Sequence, residues 1–207
     1  MTLLGANMKG ERFSGLWRRF RAASDGVAAV EAALALPVMA IAYVGMVNVA
    51  QMVMINRKVT QLTLALSDLT ARLPSVPTAE VTNIFNAAET ILLPYDSDKS
   101  KMVIASVVIG ADRIGRVCWA NSYPDTKLAP ARGATVSLPD SIRVANTSVI
   151  MARASYEFTP VIGSAVFKQM TLGDDPIYTR PRNGKADGDN SIEQIVRTDV
   201  KGCPKFT

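Results

Sequence analysis

Asp25-Gly26-Val27-Ala28-Ala29-Val30-Glu31 opens a stretch that continues from Ala32 to Asn56 without one charged side chain. Read as a helix at ~1.5 Å per residue, the charge-free run alone is about as long as the hydrocarbon core of a bilayer is thick. It predicts a transmembrane helix over 27–56, preceded by a leader over 1–26. A carboxylate near the start of such a helix is costly, by ~3 kcal/mol at mid-membrane on insertion scales and less near an edge. A positive charge beside it would offset that cost. Cleavage after Gly26 would create one, because Val27 would then carry a free amine four residues from Glu31. Gly26 and Val27 are therefore a candidate processing site, and Glu31 is the carboxylate that depends on it.

Two other readings of the stretch compete. In one, the helix is an uncleaved signal anchor. In the other it is an ordinary secretory signal peptide, with Arg18, Arg19 and Arg21 as its basic region and Ala40-Ile41-Ala42 as a small-x-small cleavage site. Against the signal peptide, Glu31 falls inside what would be its apolar region, and apolar residues run on past Ala42 to Ile55. The uncleaved anchor stays open.

The net charge of +5 is unevenly placed. Residues 1–26 carry Lys9, Arg12, Arg18, Arg19 and Arg21 against Glu11 and Asp25, a net of +3, which leaves +2 for the remainder. Beyond the helix only Arg57, Lys58 and Arg72 follow closely. Basic residues hold their flank of a membrane helix in the cytoplasm, so the asymmetry predicts the N-terminus inside and the C-terminal part outside. No basic patch interleaved with aromatics is present, and nucleic-acid binding is rejected.

Cys118 and Cys203 both lie beyond the helix, where that topology places them in an oxidising space. A bridge between them is the preferred reading, two unrelated free thiols the other. The bridge would close a long loop, with a chain-entropy ceiling of about 4 kcal/mol, and would fasten a polar tail.

The chemistry of enzymes is thinly represented. The chain has no histidine, which removes His-based triads, most zinc sites and the commonest general base. No Walker loop, GxGxxG or GxSxG occurs. Asp96-Ser97-Asp98 and Asp187-Gly188-Asp189-Asn190 offer oxygen ligands suited to calcium, but neither has the EF-hand spacing, and both read as solvated turns. The chain is read as no enzyme, with no catalytic residue, metal or cofactor.

Past the membrane the main helix is expected to continue to Leu73, because Met52, Ile55, Val59, Leu62, Leu66, Leu69 and Leu73 are spaced alternately 3 and 4 apart. Pro74 and Pro77 end it. A second helix is expected with Thr78 as N-cap and Val81, Ile84, Phe85, Ala88, Ile91 and Leu92 on one face, closed by Pro94. Strands follow at Met102–Ile109 and Ile114–Tyr123, joined by a hairpin at Gly110-Ala111-Asp112-Arg113. Another strand is expected at 147–158, with Ala152, Ala154, Tyr156 and Phe158 facing one way. A last one is expected near 176–179, and loop from Arg180 to Cys203. The fold class is α+β: a long N-terminal transmembrane helix extended into a soluble domain over 57–207 with an antiparallel sheet.

The run Asp25 to Pro37, with its Gly/x4/Glu site and Leu36-Pro37, resembles the N-terminal signature of the TadE/TadG-like proteins of tight-adherence (Flp-type) pilus systems. Thr147-Ser148-Val149-Ile150, Ser155 to Pro160 and Thr179-Arg180-Pro181-Arg182 resemble that family's C-terminal strand and Arg-Pro-Arg pattern. Residues 78–142 match in layout only, and Ala32 stands where many members carry an aromatic. The resemblance implies a pilin-like fold and a minor pilin or pseudopilin. It would be made as a single-pass precursor in the bacterial inner membrane and cut between Gly26 and Val27 by a prepilin peptidase. Its implied partners are other pilins and the assembly platform, its role pilus assembly for surface attachment, and Glu31 its assembly carboxylate. The alternative is an uncleaved, membrane-anchored periplasmic accessory or binding protein.

Overall fold

The computed structural model describes residues 25–160, 169–188, 191–201 and 203. The leader as far as Ser24 lies outside the described residues, as do Asp189 and Asn190 of the second acidic stretch. The chain divides into two compact units, Met1–Val47 and Asn48–Thr207.

In the first unit the described residues are all helix and belong to α1 (Asp25–Ala71). Every residue from Gly26 to Tyr43 is exposed. Pro37 sits inside the helix. This helix is long and apolar enough to cross a membrane, with a mean hydropathy of 2.1 and none of its most apolar window buried.

The second unit is an α+β domain built on the remainder of α1. Of the expected stripe, Ile55, Val59, Leu62 and Leu66 are buried, and Met52 and Leu73 pack against the same core. Leu69 departs from the expectation and is exposed. A straight helix gains about 20° per heptad on a strict 3.5-residue repeat. Thr63, Ser67 and Thr70 share the buried face, and Thr63 and Thr70 turn their hydroxyls back to the carbonyls of Val59 and Leu66. Such back-bonding lets a hydroxyl enter a core without an unpaired donor.

The second helix, α2 (Thr78–Glu89), buries Val81, Ile84, Phe85 and Ala88 on one face and continues as a 3-10 turn, Thr90–Leu92. Thr78 is its first residue; Pro77 occupies the N-cap position and supplies no side-chain cap. The Thr78 amide and hydroxyl both donate instead to Asp199. At the other end Lys58 Nζ donates to the carbonyls of Ile91 (2.9 Å) and Leu93 (2.7 Å), a cation satisfying carbonyls that the helix itself leaves free.

The strands are β1 (Ser100–Ile109), β2 (Gly115–Tyr123), β3 (Thr135–Val136), β4 (Thr147–Phe158), β5 (Met170–Gly173) and β6 (Ile177–Thr179). They form one antiparallel sheet in the order β3-β2-β1-β4-β5, with β6 pairing β4 further along the same edge as β5. Both faces of β1 are covered, which is why its sequence reads as an unbroken apolar run rather than an alternation. Met102, Ile104 and Val108 join the core beneath the helices. Ala105, Val107 and Ile109 join a smaller cluster on the opposite face, with Val117, Leu138, Val149 and Met151. Ala152, Ala154, Tyr156 and Phe158 all enter the helix-side core, as their spacing predicts. Gly173, at φ +81°, lets β5 pass close to α1: a Cβ there would sit 2.5 Å from Val59 Cγ1 and 2.7 Å from the Ala154 carbonyl.

The tail is more ordered than its composition suggests. Strands β7 (Lys185–Asp187) and β8 (Ile192–Gln194) pair antiparallel in a sheet of their own. Ser148 Oγ donates to the Glu193 carbonyl, Val76 N donates to Val196 O, and Ile192 and Ile195 are buried. The loop expected from Arg180 to Cys203 is thus corrected, as is the omission of β5.

Candidate processing and assembly site

Gly26, Val27 and Glu31 all lie on the first unit's helix, and all are exposed. A Cβ placed on Gly26 would have no atom within 4 Å, so no packing demands glycine there. Residues four apart share a helix face, so the Val27 backbone and the Glu31 side chain are neighbours on one surface. In the uncut chain the Val27 nitrogen is an uncharged amide. Cutting after Gly26 would turn it into an ammonium one turn from the carboxylate. The bond itself lies in helical backbone of α1. A peptidase that binds its substrate extended would have to open the helix there. Glycine makes such opening easier by roughly 1 kcal/mol relative to alanine.

Cys118 and Cys203 are joined in a disulfide with a Cα–Cα distance of 4.6 Å, across 85 residues of sequence. Cys118 occupies a bulge of β2. Val107 pairs with Val117 and Ser106 with Trp119, so Cys118 is the extra residue between them. The bulge turns both Cys118 and Trp119 toward the helix-side core while Val117 faces the other cluster.

Beside the disulfide stands a cluster that composition gave no reason to expect. Trp119 Nε1 donates to the Ile195 carbonyl at 2.8 Å, and the Arg197 guanidinium lies over the Trp119 ring at 5.4 Å. Arg197 is almost fully buried. Its nitrogens donate to Asp199 (2.9 Å), Asn121 Oδ1 (2.5 Å) and Thr78 Oγ1 (2.7 Å). Hydrogen bonds from Arg197, then from Thr78, hold the Asp199 carboxyl well below its ordinary value of 3.8. With its donors engaged, this arginine fastens the tail to β2 and to the start of α2. Nothing in one sequence marked Arg197 as its partner; the signal was only Trp119 next to a cysteine.

The Thr179 to Arg182 pattern also receives a physical role. Ser67 Oγ donates to Thr179 Oγ1 at 2.5 Å, and Arg182 pairs with Asp68 at 2.7 Å. The Arg182 amide donates to Ala71 O at 2.9 Å, and Asn183 Nδ2 to Arg72 O at 2.8 Å. These donors satisfy carbonyls at the C-terminus of α1. Of the two calcium candidates, Asp96 uses Oδ1 to accept the Asp98 amide in a local turn.

Comparison of the chain with family models, curated proteins and solved structures returned no match.

Proposed function

We propose that this chain is a minor pilin or pseudopilin of a tight-adherence (Flp-type) pilus. The precursor is a single-pass inner-membrane protein with its N-terminus in the cytoplasm and its α+β domain in the periplasm. Prepilin peptidase cuts between Gly26 and Val27, and the freed amine meets Glu31 of the same or a neighbouring subunit. One observation carries the reading: a helix is uncovered from Gly26 to Tyr43, carries its only carboxylate of that stretch at Glu31, and continues into the core of a disulfide-bridged domain. Lipid can cover such a surface before assembly and neighbouring subunits afterwards. The excess of Lys and Arg before the helix supports the orientation.

A second reading, the uncleaved periplasmic accessory protein, is favoured by the helical backbone at the Gly26–Val27 bond, which a peptidase that binds extended chain would have to unwind. N-terminal sequencing and intact mass of the membrane-purified protein separate the two. Mature protein is expected to start at Val27, and Gly26→Val to leave full-length precursor in the membrane. Assembled pili containing uncut chain would overturn the pilin reading.

A further inference from the structure

The charge-free run is longer than a crossing requires. About twenty helical residues span the ~30 Å hydrocarbon core. Counted from Val27 that takes the helix to about residue 47, and counted from Ala32 to about residue 52. The uncharged residues beyond, as far as Asn56, therefore stand at the level of the lipid headgroups. This part of α1 belongs to the second unit, yet Val53 and Met54 remain 46% and 57% exposed there.

Two further exposed apolar side chains of that unit stand at the same level. Leu93, 66% exposed, is held there by the bond from Lys58 Nζ to its carbonyl. Tyr95 is alongside, its hydroxyl 3.9 Å from Met54 Sδ. The second is Met170, 47% exposed at the start of β5. The Ser67–Thr179 bond and the approach of Gly173 to Val59 show that β4 descends as α1 ascends, because Thr179 pairs with Ile150 and Gly173 with Ser155. Three residues of strand beyond Gly173, roughly 10 Å on an oblique path, bring Met170 to about the height of Met54. Charges nearby among the described residues are of mixed sign, Arg57, Lys58 and Lys99 against Asp96 and Asp98, a net of +1.

We infer that the domain has a second lipid contact beside its helix: Leu93, Tyr95 and Met170 seat it in the headgroup zone, with Val53 and Met54 facing the same lipid. A leucine and a methionine exposed at this depth suit the acyl boundary, and a tyrosine suits the interface, where its ring and hydroxyl meet different surroundings. With a net of only +1 among these residues, the seat reads the apolar boundary more than anionic headgroups. The inference rests on α1 crossing the membrane, which is part of the proposed function, but not on cleavage or pilus assembly.

The test uses the full chain in neutral phosphatidylcholine vesicles. Because both native cysteines are bridged, single cysteines at Leu93→Cys, Met170→Cys, Leu36→Cys and Val144→Cys each take one environment-sensitive fluorophore, with the bridge checked by mass. The Leu93→Cys and Met170→Cys labels are expected to show a blue shift, loss of quenching by aqueous iodide and gain of quenching by shallow lipid-borne spin labels. The Val144→Cys label, at the opposite end of β4, should behave as in water. Anionic lipid should leave the pattern unchanged. Lipid-quenched Leu36→Cys with water-exposed Leu93→Cys and Met170→Cys would overturn the seat and leave the membrane anchor standing. A Leu36→Cys label in water would remove both. Protection that disappears on dilution into excess lipid would assign the patch to a second copy, and would also overturn the inference.

Discussion

Under the proposed function Glu31 meets the freed Val27 amine during assembly, so its removal should separate insertion from fibre formation. Glu31→Gln is expected to insert at least as well as the native chain, since up to ~3 kcal/mol of charge burial is relieved. Surface pili should nevertheless fall by about tenfold or more, the effect of losing ~1.4 kcal/mol or more from a desolvated charge contact. Precursor, processed protein and pili measured in the same cells give the answer, and normal piliation would make the carboxylate incidental. Asp199 is the corresponding residue in the domain. Its carboxyl is lowered by Arg197 and Thr78. A lowered folded-state value means that its contribution is complete above the ordinary 3.8 and is lost as pH falls through the folded value. Asp112 and Glu157, lowered by Arg116 and Lys101, act in the same direction. Asp199→Asn should therefore unfold more easily at neutral pH yet lose less stability than the native domain between pH 5 and strong acid. Melting curves across that range in detergent would show it. Glu31 stands out in the sequence because it is the one charge between Gly26 and Asn56. Arg197 does not, because its partners lie in β2, in α2 and two residues away.

At the scale of elements, α1 is held by apolar burial more than by the polar bonds at its end. Leu62 and Leu66 are fully buried, and Leu62→Ala should cost about 3 kcal/mol in transfer and cavity terms. Arg182→Ala should cost under ~1 kcal/mol. Its pair with Asp68 is largely solvent-exposed, and its backbone amide would still satisfy Ala71 O. Denaturant titration of both variants, followed through buried Trp119, would show whether that order holds. Equal losses would mean that the helix end carries more than its exposure implies. The α1 stripe and the faces of α2 and β4 were readable from periodicity, because one-sided burial leaves a 3.6 or 2.0 repeat. Leu69 was misplaced because a sustained 3–4 spacing outruns the turn of a single straight helix. Short strands β5, β7 and β8 carry too few residues for any period to be seen.

At the scale of the whole molecule, the disulfide links β2 to Cys203 in the tail. Cys118→Ser and Cys203→Ser should lower stability alike, by up to about 4 kcal/mol, since either opens the same long loop. The native protein should migrate faster on non-reducing than on reducing gels. Free alkylation of both thiols in purified native protein would contradict the pairing. The sequence by itself determined the apolar helix with its carboxylate, the change from helical to strand patterning after Pro94, and the two cysteines beyond the span. All three follow from local spacing and composition. Only the tertiary structure decided how the tail is used. Ile192, Ile195 and Arg197 become core residues because the bulge at Cys118 turns the cysteine and Trp119 inward together, so a disulfide and a ring wait where the tail passes. No segment of the tail contains that reason, because burial there depends on the surface that β2 and the helices provide, not on the segment's own sequence.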